Sequence, residues 1–104
     1  MEWTTNMADD FFALPPFKAD EALVTLKRQL RDLKPLAERG AGFEWKGRPV
    51  VELAGDAATI TTRLARKPLR SPDWDAQVLK NGADVRKFVD EVRKRLARWA
   101  DDEQ

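Results

Sequence analysis

The 104-residue chain is 42% hydrophobic and 36% charged, apolar enough to bury one core at the usual size of a single domain. Its 19 basic and 18 acidic residues leave a formal net charge of +1, so no bulk charge pulls the whole molecule towards nucleic acid or an acidic membrane. Histidine, cysteine and tyrosine are absent, which removes disulfides, thiolate metal sites and the commonest general base and metal ligand together.

Residues 1–10, MEWTTNMADD, are polar and carry no structural signal; a disordered lead is expected, with either Met1 or Met7 as the start. Phe11, Phe12, Leu14, Pro15, Pro16 and Phe17 follow. Consecutive prolines forbid a helix there and favour an extended path. An aromatic arm over 11–17 either folds back over the core or offers its phenylalanines to a partner. The folded core is expected over 18–100, as one domain.

Lys18–Leu33 carries the first helical pattern, with Leu23, Leu26, Leu30 and Leu33 recurring at steps of three and four and Val24 widening the seam. Asp20 and Glu21 fall in the first turn, where the helix dipole favours acids, and Asp20 is a candidate cap. Pro35 pushes the residue before it out of the helical region. Ala37–Arg39 reads as a last turn before Gly40, a helix terminator.

From Phe43 the period changes to alternation, which predicts strands over Phe43–Trp45, Val50–Ala54 and Ala57–Leu64. Gly55-Asp56 reads as a two-residue, glycine-first hairpin loop that sets Leu53 opposite Ala58 and Val51 opposite Ile60. Together with Leu64 these form an apolar face. Glu52, Thr59, Thr61, Arg63 and Val50 fall on the other, the pattern of an antiparallel sheet covered on one side. For the preceding hairpin, a three-residue loop Lys46–Arg48, or a bulged equivalent, places Phe43 opposite Val51 and Trp45 opposite Pro49. That choice buries two aromatic rings, which area alone favours by several kcal/mol. Pro49, without an N–H to donate, suits an edge or a loop shoulder.

Residues 71–80 fit two patterns. Ser71-Pro72-Asp73 is a helix start and Asn81-Gly82 a helix stop, yet Trp74, Ala76 and Val78 alternate as a strand does. A wide three-stranded meander invites one more partner, so a fourth, edge strand is preferred. From Ala83 or Asp84 to Trp99, Val85, Phe88, Val89, Val92, Leu96 and Trp99 lay one apolar stripe along a second helix, with charged residues between them. The fold expected is therefore α+β in two layers, a three- or four-stranded antiparallel meander with the N-terminal and C-terminal helices packed on one face.

The order helix, three strands, helix is similar to that of the double-stranded-RNA-binding domain. The Gly-rich, lysine-dense lead into that family's second helix is not matched by KNGADVRKF, and a long insert precedes the helix here, so no membership follows.

For chemistry the chain offers little. Its five glycines are scattered and form no phosphate-binding loop, Ser71 has no histidine to activate it, and Asp73, Asp75 and Asp84 lack the spacing of a calcium loop. No catalytic, cofactor-binding or metal-ligating residue is expected, and no enzyme activity. The expected role is that of a small cytoplasmic binding or adaptor module acting through protein contacts, with Phe11, Phe12, Phe17, Trp74 and Trp99 as candidate contacts. No apolar run reaches the roughly 18 residues of a membrane-spanning helix, so no membrane partner is expected. The alternative is RNA or DNA binding through the basic Arg63–Arg70 segment and the last helix, with Arg63, Arg66, Lys67, Arg70, Arg86, Lys87, Arg93, Lys94 and Arg98 as candidate phosphate contacts. A monomer or weak dimer is expected.

Overall fold

A computed structural model describes residues 17–102. Helix α1 (Ala19–Arg31) leads into five strands, β1 (Ala37–Arg39), β2 (Gly42–Trp45), β3 (Arg48–Gly55), β4 (Ile60–Ala65) and β5 (Trp74–Leu79), and the chain closes with helix α2 (Gly82–Asp102). The strands form one antiparallel sheet in sequential order, with β1 and β5 at its edges. The α+β meander is as expected, but it has five strands, and the likeness in element order to the double-stranded-RNA-binding domain goes with the change.

The added strand is β1. Helix α1 stops at Arg31 because Pro35 has no N–H to offer the Arg31 carbonyl and disfavours a helical Lys34. The chain turns there, with Leu33 N–H donating to Leu30 O and Leu36 N–H to Leu33 O, and with a cis Lys34–Pro35 bond. Ala37–Arg39 then pairs with β2 instead of adding a helical turn, and Gly40, at φ +58°, opens a two-residue hairpin turn instead of ending a helix. Three residues are too few to show a period, so only the neighbouring strand reveals this one. Asp20 is not the cap: α1 follows Lys18 without a side-chain cap, and the Asp20 carboxylate accepts from Glu21 N–H.

The β2–β3 hairpin is the bulged equivalent of the expected three-residue loop. Its loop is two residues, Lys46 at φ 54° and Gly47 at φ 80°, the left-handed pair of a type I′ turn, so Trp45 faces Arg48 and not Pro49. A bulge at Val50 then restores Phe43 opposite Val51. The extra residue lets Val50 and Val51 both be buried, which moves Val50 off the exposed face expected for it. Pro49 sits in an inner strand beside that bulge, where its missing donor costs the ladder nothing.

Between β3 and β4 the loop is longer than Gly55-Asp56. The Asp56 carboxylate accepts from Ala58 N–H and Thr59 N–H, both at 2.8 Å, and from the Thr59 hydroxyl, while Asp56 N–H donates to Thr59 O. This self-capped turn outcompetes the tighter hairpin. Strand β4 therefore starts at Ile60, with Leu53 opposite Thr62 and Val51 opposite Leu64. The register differs by four residues from the expected one. An even shift leaves every side chain on its face, so the apolar face survives.

Strand β5 pairs with β4 from Trp74–Ala65 to Leu79–Ile60. Asn81-Gly82 begins α2: the Asn81 side-chain oxygen accepts from Asp84 N–H, and the Asp84 carboxylate accepts in return from Lys80 N–H. Both helices pack against one another and against the sheet face of Val51, Leu53, Ile60 and Leu64, with Leu23 seated over Gly55. Val85, Phe88, Val89, Val92 and Leu96 are buried from α2 and Leu26 and Leu30 from α1; Leu23 and Leu33, expected inside, are half-buried at its margin. Leu36, Leu79 and Trp99 join them in the core. Thr62 is buried on the same face and donates its hydroxyl to Gln77 O at 2.9 Å.

Candidate contact surfaces

The predicted contacts divide into three places. Trp99 is buried, 3% exposed, with its ring 5.7 Å from that of Trp45 at a 50° tilt, a favourable aromatic geometry. It is a core residue and is withdrawn as a surface contact. Phe17 is half-buried against the core, and Trp74 is half-buried beside its ladder neighbour Ala65. Phe11 and Phe12 lie outside the described residues, as does most of the expected arm.

The basic residues do not share a face. Arg63 points to the helix-free side of the sheet, 3.5 Å from Glu52. On α2, at about 100° per residue, Lys87, Lys94 and Arg98 fall on one side and Arg86 and Arg93 on a second, about 100° away. Arg86 and Arg93 line a groove against α1 together with Asp32 and Asp90, and Arg93 is 3.0 Å from Asp90. Lys87 and Lys94 face solvent, and Arg70 is exposed in the β4–β5 loop.

Three of the candidates do meet. Arg66, Lys67 and Arg98, joined by Arg48, surround a cleft of about 350 Å³ between the β2–β3 hairpin, the loop after β4 and the end of α2, with Trp99, Pro68 and Leu69 as its apolar lining. Two of these cations have other work. Arg48 donates to Pro68 O at 3.2 Å, and Arg66 is bound to Asp75 at 2.8 Å. Asp102 also lines the cleft, at the end of a helix that has no basic residue in its last turn. The cleft's positive charge thus answers the negative end of the α2 dipole. Arg48 was missed from sequence because nothing in the hairpin reveals which loop will pack beside it.

Arg95, absent from the candidate contacts, is the most engaged cation. Its guanidinium binds Glu91 and Asp75, both at 2.9 Å, and donates to Ala65 O at 3.0 Å, with its side chain 15% exposed. The Asp75 carboxyl is held below its usual range by hydrogen bonds from Arg66 first and Arg95 second. Arg95 thereby ties α2 to β4 and β5, and its role is structural.

The remaining surface is the sheet face without helices. A concavity of about 500 Å³ lies over β1–β4, lined by Gly42, Pro49 and Ala54 and by the pairs Arg39–Glu44 (3.6 Å) and Arg63–Glu52, with Glu52 opposite Gly42 on the central strand. Gly42 is required there, because a Cβ would run into the Val51 carbonyl oxygen. Towards β5 the same face carries Ala76 and Val78, the latter 44% exposed.

Comparison with protein families, with characterised proteins and with solved structures gives no match. Among the described residues no group of three or more acidic side chains is placed to hold a metal ion, and no helix is long and apolar enough to cross a membrane.

Proposed function

We propose that this chain is a small non-enzymatic binding or adaptor module acting through protein contacts, and that it uses the helix-free face of its sheet. The concavity over β1–β4 carries this reading. Its apolar lining is interleaved with charges already paired with each other, so a partner seated there strands no unpaired charge. Charges paired in this way present little net field, which suits a protein segment better than a polyanion. A cytoplasmic setting belongs to the same proposal and rests on the absence of cysteine.

A photo-crosslinking amino acid at Ala54, in the concavity, compared with one at Lys94, on the outer side of α2, tests it in cells. Discrete protein adducts from position 54 and not from 94 are expected. The same bands from both positions, or none from 54, would overturn the assignment of this face.

The cleft of Arg48, Arg66, Lys67 and Arg98 favours a second reading, contact with a nucleic-acid backbone. It requires retention on nucleic acid at low salt that falls steeply as salt is added, and further loss in Arg66→Glu and Lys67→Glu. Absence of retention at low salt would end it.

A further inference from the structure

The two edges of the sheet are built differently. Strand β1 is three residues, two of them charged, which is how natural sheets blunt an edge. Strand β5 is six residues, WDAQVL, without proline, lysine or bulge, and its one charge, Asp75, is held by Arg66 and Arg95. Arg66 N–H donates to Asp73 O and the Thr62 hydroxyl to Gln77 O, so the odd-numbered residues of this segment turn their backbone groups towards β4. By the alternation of an antiparallel ladder, Trp74, Ala76 and Val78 turn their N–H and C=O groups outward. The sheet ends at β5, and no described strand takes them up.

We infer that this edge pairs with β5 of a second copy, antiparallel about a two-fold axis through Ala76, to give one continuous ten-stranded sheet. The sequence of the strand selects the occupant and the register. Centred on Ala76, Trp74 lies opposite Val78 of the second copy, Asp75 opposite Gln77, and Ala76 opposite Ala76. All three outward residues then exchange both hydrogen bonds, and the exposed Val78 meets an aromatic ring on the same face, a favoured cross-strand pair. The neighbouring registers are worse. A centre at Asp75 sets two carboxylates face to face, and a centre at Trp74 sets Ala76 against Pro72, which has no N–H to give. A centre at Gln77 sets Trp74 against Lys80, whose N–H is already given to Asp84. The interface is isologous, the same strand from both copies, and closes on itself without leaving a further edge of this kind. It is independent of the binding face proposed above.

Sedimentation velocity of the full chain from micromolar to millimolar concentration tests the pairing, together with amide hydrogen exchange. The wild type is expected to reach twice the 11.9 kDa chain mass as concentration rises, with exchange at Trp74, Ala76 and Val78 slowing in step. Ala76→Pro removes an outward N–H that the β4 ladder does not use, and Val78→Lys places a guard charge on the edge. Both should halve the mass at the top of the range while keeping the wild-type circular dichroism. A wild type that stays monomeric with fast exchange at these amides refutes the inference. So does slow exchange in a monomer, which would mean that a segment of the same chain covers the edge, and so does a dimer that survives in a folded Val78→Lys variant.

Discussion

Arg95 shows how a residue that reads as one more surface charge becomes a fixed part of the fold. It stands on the flank of α2 that overlies β4 and β5, where its stem is covered and its head meets two carboxylates and a backbone carbonyl. Arg95→Met, which keeps the stem and removes the donors, is expected to cost about 2 kcal/mol in denaturant unfolding. Arg93→Met, whose pair with Asp90 is exposed, should change stability by less than about 0.5 kcal/mol. At the same scale, Asp56 and Asp75 are both held below the ordinary carboxylate range, Asp56 by the N–H groups of Ala58 and Thr59 and then the Thr59 hydroxyl, Asp75 by Arg66 and Arg95. A depressed folded value means that the unfolded chain binds the proton more readily. The stabilisation is therefore complete above the unfolded carboxylate range and is lost as pH falls through the folded values. Unfolding midpoints taken at neutral pH and at about pH 3 should show the loss. Asp56→Asn and Asp75→Asn should each be weaker at neutral pH and lose less on acidification.

Among the elements, the β2–β3 hairpin is the most constrained. Its type I′ turn and the bulge at Val50 are two departures that compensate each other, and Gly42 lies at the far end of the same ladder, opposite Glu52. There the strand passes so close to β3 that a methyl group would collide with the Val51 carbonyl oxygen, a backbone atom with no rotamer to escape into. Gly42→Ala is expected to cost roughly 1–3 kcal/mol through the forced shift of the strand pair. Calorimetry would read it as a lowered melting temperature, with Gly40→Ala as a comparison in which strain comes from the turn's positive φ alone and no atom is met.

At the scale of the whole molecule, the buried residues of both helices and of β2–β5 belong to one continuous cluster that includes Trp45 and Trp99. A single core of this size unfolds as one unit. Tryptophan fluorescence, to which the core pair contributes, and far-ultraviolet circular dichroism, which reports on all elements, should therefore give coincident denaturation curves. A fluorescence transition ahead of the circular dichroism would show that the end of α2 detaches first. The same view explains why the basic residues fail to make a broad polyanion surface. Those on α2 are split by the helical repeat between two sides about 100° apart, and the strand residue Arg63 is carried to the sheet face away from the helices.

Much of this was legible in the sequence. The stripe from Val85 to Leu96 placed α2 within a few residues, and alternation placed the apolar side of β3 and β4 correctly even though the loop was misjudged. Both depend on side-chain periods that a four-residue slip cannot alter. The helix-free face was legible in the same way, because Glu52, Thr61 and Arg63 share it by parity. What the sequence could not settle was everything decided by a neighbour distant along the chain. Whether Ala37–Arg39 pairs, whether Arg48 stands beside Lys67, whether Trp99 is covered by Trp45, and which edge of the sheet is left long and unguarded depend on packing between segments. Local propensity and period act along the chain within a few residues; strand order, burial of a lone aromatic and the meeting of charges act across it, and only the tertiary structure fixes them.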